Sequence, residues 1–191
     1  MERTEALATK ALILINLVVY VIAGILGGSF LSISDKVLIL LGQFNLFIVK
    51  YGWYFQLLTA MFIHINIIHL AFNMFWLYIL GSHCESIFGL KKYLAIYFLS
   101  GLFGNILTLY LLPLRTVSAG ASGAVFGIFG ALMAYSGFTR RSMFASVLYA
   151  LFILILNVGF GVNVVAHFGG LFLGFILGYV YARGLRRHHF V

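Results

Sequence analysis

The chain has 191 residues, of which 63% are hydrophobic and only 8% charged, whereas ordinary soluble domains carry about 45–50% and about 25%; a soluble fold is thereby excluded. Twelve Lys and Arg against four acids (Glu2, Glu5, Asp35, Glu85) give a net charge of +8. In a nucleic-acid binder such cations form a basic stripe among polar residues, but here they only punctuate apolar runs, so no nucleic-acid partner is expected. A lone cysteine, Cys84, excludes an intramolecular disulfide and a cysteine-built zinc site.

Windows free of charge run over 11–34, 51–84, 93–114, 116–139 and 142–182, and a membrane span needs about 20 residues. The first window is too long, and followed by too many like it, to be a removable signal peptide. The last must hold two spans, separated at Asn157-Val-Gly-Phe-Gly-Val-Asn163, where two glycines and two asparagines supply a turn. The 51–84 window opens with Tyr51, Trp53, Tyr54 and Phe55, an aromatic signature of headgroup level. We therefore expect an all-α polytopic membrane protein, one domain over 1–191. Its six transmembrane helices fall at 11–29, 67–84, 93–112, 121–137, 143–158 and 164–182, and its long first loop, 30–66, lies at the interface. Arg3, Lys10, Lys91, Lys92, Arg140, Arg141, Arg183, Arg186 and Arg187 fall on one side of this layout, and only Lys36, Lys50 and Arg115 on the other. The positive-inside rule then makes both termini cytoplasmic.

Polar side chains at membrane depth are costly and mark function by default. His69 and Asn73, four apart, share a face at the start of the second helix. Ser122 opens the fourth helix within Gly120-Ala-Ser-Gly123, and His167 lies just inside the sixth. All four fall toward the exterior ends of helices whose direction was set by charge alone. Counted from Ser122 to Gly137, the fourth helix rises about 24 Å against a hydrocarbon core of about 30 Å, so its start lies below the outer surface. Non-helical backbone there is tolerated only within protein or beside a water-filled cavity, and water at that depth is what hydrolysis of a membrane-embedded peptide bond requires.

A serine hydroxyl becomes a nucleophile when a neighbouring base takes its proton, and His167 is the candidate base for Ser122. Neither Asp35, in the first loop, nor Glu85, at the far end of the second helix, is placed to orient that histidine, so a Ser-His dyad is expected. Phe126, one turn after Ser122, is positioned to stack on the imidazole. An oxyanion hole would draw on the Ser122 backbone N–H with the Asn73 amide and the His69 ring. Each residue also has a plainer reading. Gly123, Gly127 and Gly130, with Gly170, Gly174 and Gly178, fit small-residue helix packing; a lone buried His or Asn is often an interhelical hydrogen bonder; Phe126 can be simple core. His64 lies about 140° around from His69 on a helical projection, which favours a local structural hydrogen bond. His83, Cys84 and Glu85 read as a cytoplasmic helix end, and His188 and His189 as a solvated basic tail. Singly these signals are weak; their joint placement is not.

At these residues the sequence resembles the rhomboid family of intramembrane serine proteases. Three signatures stand in order: His64-xxxx-His69-xxx-Asn73, Gly120-x-Ser122-Gly123-xxx-Gly127 and Ala166-His167-xx-Gly170-xxx-Gly174. The resemblance covers essentially the whole chain, in the basic six-helix form. It implies Ser122 as nucleophile, His167 as general base, His69 and Asn73 as oxyanion-hole partners, and His64 as a structural member of a first-loop hydrogen-bond network. Many relatives carry Trp-Arg before a Leu-Leu-Thr in the first loop, where this chain has Phe55-Gln56 before Leu57-Leu58-Thr59. Ala119 stands where some relatives have a further glycine.

The expected function is thus an intramembrane serine endopeptidase acting on other membrane proteins in or near their transmembrane segments, with the lipid bilayer as its other partner. The resemblance implies substrates whose helix unwinds easily, with small residues at the cut. No metal or organic cofactor is expected, because zinc proteolysis wants a motif such as His-Glu-xx-His and residues 70–84 carry no carboxylate. Without a recognisable transit peptide, a prokaryotic plasma membrane is expected, with the active site opening toward the exterior. One rival is a non-catalytic rhomboid-like module that binds unstable helices; another is a transporter using His69 and His167 as a proton relay, against which the absence of paired buried acids and repeated halves argues.

Overall fold

The computed structural model describes residues 6–140, 142–156 and 162–187. Residues 157–161 of the expected turn, the end of the fifth span, Arg3, Arg141 and the His188-His189 tail lie outside the described residues. Helix α1 (Leu7–Gly27) is apolar throughout and stops at Gly28, which adopts φ 72° and returns its N–H to the Gly24 and Ile25 carbonyls. Only glycine takes that left-handed backbone without strain. The opposite end of α1 is held by a residue far along the chain. The Glu85 carboxylate accepts from the backbone N–H of Ala8 (3.0 Å), from that of Thr9 (2.9 Å) and from the Thr9 hydroxyl (2.8 Å). An acidic side chain there satisfies orphan donors and meets the positive end of the helix dipole.

The first loop is more ordered than the sequence implied. It contains α2 (Asp35–Leu41), strand β1 (Gln43–Phe44), α3 (Asn45–Tyr51) and α4 (Gln56–Thr59). Strand β1 pairs antiparallel with β2 (Val117–Ser118), Gln43 opposite Ser118 and Phe44 opposite Val117. This short ladder is a minor departure from an otherwise helical chain. The rings of Phe44, Phe47, Tyr51, Trp53 and Phe55 contact one another in sequence along this loop.

Helix α5 (Ile67–Trp76) passes through a π-helical turn (Leu77–Gly81) into α6 (Ser82–Leu111). Helix continues past the expected end at 84 and through Lys91 and Lys92, and the break between the second and third spans falls at Gly89, inside the expected loop, with φ 74° and ψ 166°. The chain reverses there. A Cβ placed on Gly81 would lie 2.8 Å from the Tyr93 hydroxyl, although the same separation along a straight helix would be about 18 Å. One glycine with positive φ thus does the work of a loop. After β2 come α7 (Ser122–Thr139), α8 (Met143–Leu156) and α9 (Val164–Arg187).

Four stretches of described helix are long and apolar enough to cross a membrane: Leu7–Gly27, Ile67–Leu111 with its reversal at Gly89, Ser122–Thr139 and Val164–Leu185. The chain is an all-α polytopic membrane protein. Helix α7 occupies the centre, with Ala124, Ile128, Ala131 and Ala134 buried, while Leu14, Val18, Ile22 and Ile25 of α1 stay exposed to the surroundings. Between α7 and α9 the backbones touch: a Cβ on Gly170 would strike the Gly123 carbonyl, one on Gly174 the Gly127 carbonyl, and one on Gly178 the backbone of Ala131. Since lipid offers no hydrophobic gain for joining helices, such close van der Waals contact is what holds them.

Candidate active site

The segment entering α7 is pinned by the first loop before the helix begins. Besides the β1–β2 pair, the Asn45 N–H donates to the Thr116 carbonyl (3.2 Å) and the Gly120 N–H to the Ala60 carbonyl (2.9 Å). The Ala121 N–H points at His64 Nε2 over 3.5 Å. Burial holds the His64 ring down at about pKa 3, with the neighbouring His69 pushing the same way. A neutral ring keeps the lone pair that this N–H requires. Gly120 has φ 132°, and a Cβ on it would lie 2.7 Å from His69 Cε1, 3.0 Å from His69 Nε2 and 3.6 Å from Ser122 Oγ. Its missing side chain therefore leaves one small space bordered by both His69 and Ser122.

Ser122 is the first residue of α7, where backbone N–H groups have no partner within the helix. His167 lies in the first turn of α9, and its Nε2 is 2.8 Å from Ser122 Oγ. The close approach of Gly123 and Gly170, three residues beyond His167, allows these two side chains to meet. Phe126 stacks on the imidazole with ring centroids 4.3 Å apart and planes at 17°. His167 is 3% exposed, and its Nδ1 is buried with no hydrogen-bond partner among the described residues. Among the described residues no carboxylate orients it; the Glu85 carboxylate is engaged at the start of α1.

On α5, Asn66 caps the helix by accepting from the His69 N–H (2.7 Å), which orients the turn that carries the His69 ring. The Asn73 amide donates to the His69 carbonyl one turn back (2.9 Å), so one of its two N–H groups is occupied within its own helix. The His64 and His69 rings meet edge to face at 5.3 Å.

Sequence reasoning missed a set of buried amides behind this site. Gln56 is fully buried; its amide donates to the carbonyls of Ile39 (2.8 Å) and Leu40 (3.2 Å), and its oxygen accepts from the Phe44 N–H (3.0 Å). Gln43 donates to Asn45 Oδ1 (2.8 Å) and the Asn105 carbonyl (3.0 Å), and Asn105 donates to the Leu57 carbonyl (2.8 Å). The only signal available was the cost of amides in an apolar setting, which says that they are partnered but not with what. Among the described residues no three His, Cys, Asp or Glu side chains gather as a metal site would need.

Residues 51–184 match the family model described as the rhomboid domain. The chain belongs to the rhomboid family. It is similar to rhomboid protease GluP of Bacillus subtilis, 34% identical over 174 residues, or 87% of this chain and 33% of that protein. RHOMBOID-like protein 6, mitochondrial, of Arabidopsis thaliana is 39% identical over 132 residues, 65% of this chain and 43% of its own. Bacillus subtilis YdcA is 30% identical over 152 residues, 76% of each chain. This rhomboid thus spans between a third and a half of the first two relatives. Where many family members place Trp-Arg, its Gln56 carboxamide supplies both donors and an acceptor to three backbone groups of the first loop. A neutral amide can brace a loop there because its partners are carbonyls and an N–H, none of which demands a charge.

Proposed function

We propose that this rhomboid is an intramembrane serine endopeptidase that cleaves other membrane proteins in or near their transmembrane segments. The observation that carries the reading is the 2.8 Å contact between Ser122 Oγ and His167 Nε2, made between separate helices and bordered by His69. In this mechanism Nε2 takes the hydroxyl proton as Oγ attacks the scissile carbonyl, and the tetrahedral oxyanion is received by the Ser122 N–H with His69 and Asn73. On collapse the imidazolium returns that proton to the leaving amine, and water, deprotonated by the same nitrogen, releases the acyl group from Ser122. Phe126 holds the ring plane, and the neutral imidazole keeps its other proton on Nδ1. Substrate helices that unwind readily, with small residues at the cut, fit a nucleophile recessed at the head of a short central helix. We place the protein in a prokaryotic plasma membrane with both termini cytoplasmic and the site opening outward.

The test is cleavage of a model transmembrane substrate by detergent-solubilised protein, together with labelling by a fluorophosphonate, which needs an activated serine. Wild type is expected to cleave and label, and Ser122→Ala to do neither; equal turnover by the two would refute the mechanism. Turnover should also fall in acid, since a cationic imidazole cannot accept the serine proton.

A further inference from the structure

The break before α9 ends in Asn163, a residue to which the proposed chemistry gives no role. Its carboxamide nitrogen donates to two hydroxyls, Thr108 Oγ1 (2.9 Å) and Ser118 Oγ (2.9 Å). Its carboxamide oxygen accepts from the Ala166 N–H (3.0 Å), and its backbone carbonyl accepts from the His167 N–H (3.1 Å). The last two contacts set the first turn of α9. The first two tie that turn to other elements. Thr108 is fully buried and spends its own proton on the Gly104 carbonyl (3.0 Å), so its lone pair is left facing Asn163. Ser118 belongs to β2, opposite Gln43, four residues before Ser122.

We propose that Asn163 is a positioning residue that sets the alignment of His167 with Ser122; this rests on the protease reading above. The His167 ring has stacking on one face, and among the described residues its Nδ1 has no hydrogen-bond partner, so no described acid fixes where its Nε2 points. The height and rotation of the first α9 turn must do so instead. Asn163 fixes that turn against the segment that delivers the nucleophile, with Ser118 as the near anchor and Thr108 as the deep one. It joins the two halves of the dyad through backbone position rather than through contact with either reacting atom.

The experiment uses the full chain in detergent micelles, with kcat and KM on a transmembrane substrate, the rate of fluorophosphonate labelling and the thermal midpoint measured for each variant. For Asn163→Ala, kcat and labelling rate are expected to fall together by about 10- to 100-fold with KM nearly unchanged, as for a displaced general base. Asn163→Asp should recover only part of the loss, since a carboxylate still accepts from the Ala166 N–H and can accept from a rotated Ser118 hydroxyl, but has no proton for the Thr108 lone pair and brings a buried charge. Ser118→Ala, which leaves the helix cap intact, should show a smaller loss of the same kind. Labelling of Asn163→Ala at the wild-type rate per folded molecule would overturn the proposal. So would a Ser118→Ala variant with lowered thermal midpoint but unaltered kcat and labelling. If wild type labels no better than Ser122→Ala, the protease reading itself fails and takes this proposal with it.

Discussion

Replacing Gly120 by alanine should damage the site from two directions at once, and the structure gives a size for each. The backbone there has φ 132°, a conformation that costs a residue with a Cβ about 1–3 kcal/mol. The added methyl would also start 2.7 Å from His69 Cε1, so the ring must retreat by roughly 0.8 Å to reach an ordinary contact of about 3.5 Å. His69 and Ser122 border the same space, and displacement of a transition-state donor by nearly 1 Å costs about 100-fold in rate. The expected outcome for Gly120→Ala is thus a loss of about 10- to 100-fold in kcat and fluorophosphonate labelling, with a moderate fall in thermal midpoint. Gly28→Ala is the control: its φ is also positive, 72°, but nothing lies within 4 Å of the added Cβ. It should lose stability and keep its turnover per folded molecule. Labelling of Gly120→Ala at the rate of the Gly28→Ala control would show that the reasoning about His69 is wrong.

Glu85→Ala strips three buried donors of their acceptor at the start of α1 and should destabilise the protein by about 2–5 kcal/mol. Glu85→Gln, which keeps one acceptor oxygen, should lose less; thermal scans in detergent compare the two. His64 is held neutral to about pKa 3, so below its unfolded value of about 6.5 the unfolded chain binds a proton that the folded chain refuses. Stability should therefore decline as pH falls from about 6.5 toward 3, by up to about 1.4 kcal/mol per pH unit from this group; His64→Gln should flatten that slope, and an unchanged slope would contradict the assignment. Phe126→Leu removes a stack worth about 0.5–1.5 kcal/mol and should lower kcat by about two- to ten-fold with little change in KM.

What could be read from the sequence was governed by contrast. Ser122, His69, Asn73 and His167 stand out because they are polar in apolar runs, and charge asymmetry was enough to gather them at one end of the bundle before any contact was known. Spacing also put Phe126 one turn from Ser122. Contacts that depend on distant parts of the chain were out of reach. Glu85 reads as an ordinary helix end, yet its partners Ala8 and Thr9 lie more than seventy positions away. Lys91 and Lys92 marked a reversal between 84 and 93, but not that helix would fill this stretch and that the turn would rest on Gly89, which only its φ reveals. The small helices of the first loop escaped because their order comes from amides such as Gln43, Asn45 and Gln56, whose backbone partners no periodicity reports.

If the proposed protease reading holds, polar ties of this kind would let a two-residue site do without a third. A carboxylate behind a catalytic histidine fixes the ring by direct attraction, but His167 Nδ1 is buried without one among the described residues. Placing a charge at that depth would require further groups to solvate it. Backbone contact fixes the geometry instead. Helices α7 and α9 meet at glycines so closely that a single methyl at Gly170 or Gly174 has no room, leaving their separation little freedom. Sliding and rotation remain, and these are restricted by polar ties at the helix starts. The first loop grips Gly120 through Ala60, and Asn163 grips Ser118 and Thr108. Each tie is a neutral hydrogen bond, worth more where water is scarce, and none introduces a net charge that the membrane would penalise. On the proposed reading, a dyad positioned this way would draw its accuracy from the surrounding backbone, and activity should be sensitive to changes several residues from Ser122 Oγ and His167 Nε2.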